Sequence, residues 1–152
     1  MQLTIEQIPE HLNRTLAPVY WITGDEPLQV METAELVRAK SQTQGFAERQ
    51  LLSVDAQFDW SVLSEAASAL SLFAQKTLLD VRMYNAKLGQ AGSKALQHYL
   101  QHLPSDKILL VQSSRLDKSQ RSAAWFKTLE KIGVVVNIWE LSPARNQAWI
   151  AK

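Results

Sequence analysis

"VYWITGDEPLQVMETAELVRAKSQTQGF", residues 19–46, decides the fold. Its first five residues are β-branched or aromatic and lie between Pro18 and Gly24, the mark of a short buried strand. The remainder repeats Leu28, Met31, Ala34, Leu36 and Val37 at helical spacing, with Pro27 suited to the first turn and Gly45 to the exit. A strand running through a tight loop into a helix opens a βα unit.

The same alternation recurs outward from this stretch. "ERQLLSVDA" (48–56), "KTLLDVRM" (76–83), "DKILLVQSS" (106–114) and "GVVVNIWE" (133–140) read as further strands, and "DWSVLSEAASALSLF" (59–73), "SKALQHYLQHL" (93–103) and "DKSQRSAAWFKTLEKI" (117–132) as the helices between them. Strands that are mostly apolar, alternating with single helices, indicate a parallel sheet covered on both faces. The expectation is an α/β domain with five strands, preceded by a short helix, "IEQIPEHLNRTL" (5–16), with Ile5, Ile8, Leu12 and Leu16 on one face.

The composition narrows the functional classes. The chain has 152 residues, 46% hydrophobic and 20% charged, and sits among ordinary globular domains. Sixteen basic against 15 acidic side chains, net charge +1, leave no electrostatic footprint for a phosphate backbone. With no cysteine, a disulfide framework, a thiolate metal site and a cysteine nucleophile are excluded together. No apolar run approaches the roughly 18 residues of a membrane span, and "MQLTIEQIPEHLNR" lacks the basic start and apolar stretch of a signal peptide. A cytoplasmic protein without membrane contact is expected. Pro143, with Ala144, Trp149 and Ile150 after it, reads as the start of a helix cut short at Lys152, so a longer protein is expected.

In this fold class the loop after the first strand is where a phosphate would bind. Here it reads "TGDEPLQ": Gly24 has no second glycine and no lysine, and Asp25 and Glu26 repel an anion while suiting a helix N-terminus. Asp80, closing "LLD", resembles a magnesium-binding carboxylate only superficially and reads as a strand-end acid. His98 and His102 are four apart on one helix, a metal-compatible spacing, but no third ligand is evident, and His11 stands apart. No G-x-S-x-G elbow occurs. No catalytic residue, cofactor or metal is assigned.

One stretch resists the core. In "ALSLFAQK" (69–76), Leu63, Ala67 and Leu70 share a helix face near Trp60, while Leu72 falls on the polar side with Ser61, Ser64, Glu65 and Ser68, and Phe73 at the margin. Either the helix ends near Leu70 and the pair tucks into the core, or the pair projects into a partner. Each such side chain is worth about 1.5–3 kcal/mol when fully buried.

"ALSLFAQKTLLDV" (69–81) resembles the clamp-contacting element of the delta-subunit family of bacterial DNA polymerase III, part of the sliding-clamp loader. "PVYWITGDEPLQVMETAELVR" (18–38), "GFAERQLLSVDAQFDW" (45–60), "LDKSQRSAAWFKTL" (116–129) and "ARNQAWIAK" (144–152) resemble the family in the same order, over nearly the whole chain. The resemblance implies an AAA+-like (P-loop-NTPase-like) core domain over 1–140 with a degenerate nucleotide site. Residues 141–152 would begin a helical lid, with the rest of the lid and a C-terminal collar lying beyond.

It also implies that Leu72 and Phe73 enter a hydrophobic pocket of the beta sliding clamp, that Leu70 and Ser71 complete most of the clamp-binding pattern, and that the subunit opens the ring for loading onto primed DNA. Ala69 stands where the pattern has glutamine, removing a hydrogen bond to the pocket rim. The implied partners are the clamp, gamma/tau and delta-prime through the C-terminal part, and primer-template DNA in the assembled loader, with no homo-oligomer. The subunit belongs to a DNA-directed DNA polymerase complex without catalysing by itself. Two other readings stand beside this one. A degenerate nucleotide-binding module would show a nucleotide-dependent thermal shift. A single-stranded DNA-binding module would need Arg115, Lys118, Arg121, Lys127 and Lys131 to frame Trp125 and Phe126 as stacking platforms; Trp125, Phe126 and Leu129 read rather as a core face.

Overall fold

The computed structural model describes residues 1–69, 76–84 and 88–138. The strands are β1 (Gln2–Leu3), β2 (Val19–Gly24), β3 (Glu48–Ser53), β4 (Thr77–Met83), β5 (Lys107–Ser113) and β6 (Val134–Ile138). The helices are α1 (Ile8–Arg14), α2 (Pro27–Thr43), α3 (Ser61–Ser68), α4 (Gly89–Gln101), α5 (Lys118–Arg121) and α6 (Ala124–Ile132), with a 3-10 turn at Ile5–Gln7. Among the described residues the strands form one parallel sheet in the order β1-β6-β2-β5-β4-β3.

The central strand β2 shows why its run is apolar throughout. Val19 and Trp21 point into one core, with α3, α4 and α6, and Tyr20 and Ile22 into the other, with α1 and α2. Both faces are covered, so period-two alternation of apolar and polar residues has no place there. The indole of Trp21 stacks on Trp125 at 4.9 Å and donates to the Ser113 hydroxyl at 2.8 Å. Tyr20, its phenol pushed up to about 12 by burial, meets His11 Nε2 at 2.9 Å, while its hydroxyl accepts from the Ala17 N–H.

Among the described residues the sheet has six strands where five were expected. The additional strand, Gln2–Leu3, is too short for any periodicity and is placed by pairing Gln2 with Val135 and Leu3 with Val136. The helix expected over 117–132 is two. A capping box opens α5, Asp117 Oδ1 accepting from Gln120 N at 2.8 Å; at its end the Ser122 hydroxyl bonds the Lys118 carbonyl, and Ala123 turns extended before α6. The buried stripe of α2 also differs from its apolar residues. Val30, Thr33, Ala34, Val37 and Ser41 face the sheet, whereas Leu28, Met31 and Leu36 are exposed. Thr33 and Ser41 are tolerated there because their hydroxyls bond the carbonyls of Gln29 and Val37 one turn back.

Candidate functional site

Three places deserve comparison with the chemistry read from the sequence. The first is the loop after β2. Gly24 pairs with Ile138 of β6, and a Cβ on it would lie 2.4 Å from the Ile138 carbonyl oxygen, so the glycine serves close strand packing. The loop ends are engaged by the sheet and its neighbours: the Thr23 hydroxyl donates to Ser114 O at 2.7 Å, and the Asp25 carboxylate lies 3.8 Å from Arg115. Glu26 is the N-cap and Pro27 the first helical residue of α2. Acids occupy the position a phosphate would need.

The second is Asp80, which is not a strand-end acid. It sits in the middle of β4, 1% exposed, because the strand runs on to Met83. Its Oδ2 accepts from Arg49 Nε at 3.0 Å and Nη2 at 2.7 Å and from Arg82 Nη2 at 3.3 Å, and its Oδ1 from Gln112 Nε2 at 3.0 Å. Gln112 in turn accepts from the Tyr84 hydroxyl at 2.6 Å. All of its neighbours here are donors, so the carboxylate is spent on holding β3, β4 and β5 together. A cleft of about 270 Å³ opens beside it toward Leu28, Met31 and Arg38 of α2.

The third is the base of the Leu72–Phe73 element. Leu70, Ser71, Leu72 and Phe73 all lie outside the described residues. Their flanks are defined: α3 ends at Ser68 with Ala69 extended, and β4 begins at Thr77. Both flanks are fixed at one dipeptide. Lys107 Nζ donates to the Ala69 carbonyl and to Asp106 Oδ2, each at 2.8 Å, and Thr77 N–H donates to Asp106 O at 3.0 Å. Lys107 is 4% exposed, and a buried ammonium needs such acceptors. The hydrogen bond from Lys107 holds the Asp106 carboxyl below the usual carboxylate range. Sequence reading passed over this lysine; a cation opening an otherwise apolar strand run was the available signal.

The histidine pair is brought together without a third ligand. The His98 and His102 rings lie 4.3 Å apart on α4, and His102 Nδ1 meets the His98 carbonyl at 3.0 Å. Among the described residues no group of three or more His, Asp or Glu side chains is gathered as a metal site would need. Trp125 and Phe126 are buried at 3% and 2%, which removes them as stacking platforms, and the Arg121 guanidinium bonds the Asn137 side chain at 2.9 Å. No helix among the described residues is long and apolar enough to cross a membrane.

A six-stranded parallel sheet of this order, helices on both faces and an acid-occupied phosphate loop define an AAA+-like α/β domain. The fold matches that of the Bacillus subtilis DNA clamp loader delta protein, with a TM-score of 0.69 at 18% identity over 95% of this chain and 45% of that one. It also matches a DNA polymerase III gamma subunit-related protein from Thermotoga maritima, with a TM-score of 0.54 at 11% identity over 96% and 48%.

In sequence, residues 20–139 match the family model described as DNA polymerase III, delta subunit. The chain is 30% identical over 151 residues to DNA polymerase III subunit delta of Escherichia coli (strain K12), covering 99% of this chain and 44% of the relative. It is 33% identical over 129 residues to that of Haemophilus influenzae, covering 83% and 36%. The chain belongs to the DNA polymerase III delta subunit family, and it spans less than half the length of these relatives.

Proposed function

We propose that this chain is the clamp-binding part of a clamp-loader delta subunit. Leu72 and Phe73, with Leu70 and Ser71 beside them, enter an apolar pocket of the beta sliding clamp. The observation that carries this reading is the shared base at Asp106–Lys107, which ties Ala69 on one side and Thr77 on the other. A short segment whose two flanks are held at one point can present apolar side chains to a partner without moving the sheet beneath it. Burial of the pair supplies about 3–6 kcal/mol, or roughly 10²- to 10⁴-fold in affinity.

The action is binding rather than catalysis. A subunit that prefers the clamp conformation with one interface open shifts the ring toward opening by its differential affinity, ready for loading onto primer-template DNA. ATP is bound by other loader subunits, gamma/tau, and this subunit joins them and delta-prime through a C-terminal collar in the cytoplasm. In this reading residues 1–140 are the core domain and 141–152 lead into the lid. Calorimetric titration into the cognate clamp tests it, alongside a Leu72→Ala/Phe73→Ala variant with an unchanged melting temperature. Native binding that the double variant loses is the expected result; native protein that does not bind at high micromolar concentration refutes it.

A further inference from the structure

The cleft of about 270 Å³ beside Asp80 opens on the sheet face that carries α1 and α2, opposite the face that carries α3 and α4. Its two walls differ in chemistry. On the α2 side Leu28 and Met31, one helical turn apart, are 63% and 49% exposed and form one apolar strip at the mouth. On the sheet side stand Arg49 and Arg82, which share a single acid, Asp80. That carboxylate already accepts four hydrogen bonds, and Glu35 across the cleft is held by Arg38. Two guanidinium groups around one carboxylate leave a surplus positive charge, and their side chains remain 41% and 33% exposed, within reach of a further acceptor.

The lining as a whole is neutral, with Arg38, Arg49 and Arg82 against Glu32, Glu35 and Asp80. A phosphate backbone gains little in such a cleft, whereas one carboxylate on the sheet side is complementary to it. Next to the cleft, β3 is the last strand of the sheet among the described residues, and its Leu51, in register with Asp80, is half exposed. An extended chain can follow such an edge. The geometry points to this cleft as a docking site for an extended polypeptide segment of a partner protein other than the clamp. One apolar side chain of the segment lies against Leu28 and Met31, and one carboxylate spans Arg49 and Arg82. The Leu72–Phe73 element follows α3, so this partner and the clamp engage opposite faces of the sheet.

Photo-crosslinking tests this with full-length protein carrying Leu51→p-benzoylphenylalanine, irradiated in its own cells, the crosslinked peptide being sequenced by mass spectrometry. The expected product is one segment of one partner protein, with an acid beside an apolar residue. Arg82→Gln and Leu28→Ser are each expected to cut the yield about fivefold. Leu28→Ser, at an exposed position, should leave the melting temperature unchanged, so its effect reports docking and not folding. Arginine in place of the partner's acid should likewise lose the product, and combining it with Arg82→Glu should restore it. The proposal is overturned by no product, by a product with the clamp, with nucleic acid or within the chain itself, or by a segment without an acid. A yield that either variant leaves within about twofold overturns it as well.

Discussion

Asp80→Asn removes one charge from the middle of the sheet with almost no change of shape, and its cost can be worked from the contacts. Four hydrogen bonds end on this carboxylate, three of them from guanidinium groups. Breaking a fully buried pair costs about 3–5 kcal/mol. Here the carboxylate is buried, but the side chains of Arg49 and Arg82 are 41% and 33% exposed and can turn partly to water, which discounts that range. The asparagine oxygen still accepts one bond, while its NH₂ faces donors. The expected loss is about 2–3 kcal/mol, or about 4–12 °C in melting temperature for a domain of this size.

Thermal and urea unfolding followed by circular dichroism measure it, with Arg49→Met to complete a double-mutant cycle. The single Arg49→Met change should cost less than Asp80→Asn, since it leaves Arg82 and Gln112 on the acid and removes a half-exposed side chain. A loss below about 0.5 kcal/mol for Asp80→Asn would refute the argument that this carboxylate organises β3, β4 and β5, and would make its burial energetically neutral.

Three further outcomes follow from other parts of the fold. Gly24→Ala should destabilise by about 1–3 kcal/mol or more, read by urea unfolding, because the new methyl group meets the Ile138 carbonyl, which belongs to a paired strand and cannot swing away. His11, whose pKa burial lowers from 6.5, suits a neutral ring accepting from the Tyr20 hydroxyl; the unfolded state then binds the proton more readily, so its contribution is present above pH 6.5 and lost as pH falls through the folded value. Melting temperatures measured across that range should fall less steeply for His11→Gln than for the native protein. Magnesium-ATP should leave the melting temperature unchanged, whereas a ligand at a hundred times its dissociation constant would stabilise by about 2.7 kcal/mol; a clear upward shift would reinstate the nucleotide-binding reading.

Much of this fold is legible in the sequence because its central strands, β2, β4, β5 and β6, are buried on both faces. Runs such as Val19–Thr23 and Val134–Ile138 have no amphipathic ambiguity, and their alternation with helices leaves few arrangements of the sheet. What escapes are features set by residues distant in the chain. Gln2–Leu3 is a strand only because Val135 and Val136 offer it an edge. Asp80 looks like a strand end until Arg49 and Gln112, about thirty residues away on either side, arrive as donors. The stripe of α2 misleads because Thr33 and Ser41 satisfy their own hydroxyls and can be buried, while Leu28, Met31 and Leu36 are left outside.

The Leu72–Phe73 pair is a different case. In the sequence Leu72 falls off the apolar stripe shared by Leu63, Ala67 and Leu70, and periodicity records only what the chain needs for its own core. In the proposed reading the pair serves a partner's core, which leaves no such signature, so that reading comes from resemblance and not from spacing. The structure shows how the flanks of that segment are held. Lys107, buried and bonded to Ala69 and Asp106, fixes the chain one residue before Leu70, and Asp106 receives it again at Thr77. A buried charge at the foot of an apolar strand is costly in an isolated domain. Under the proposed reading, that cost is offset by anchoring both flanks of a segment offered to the clamp.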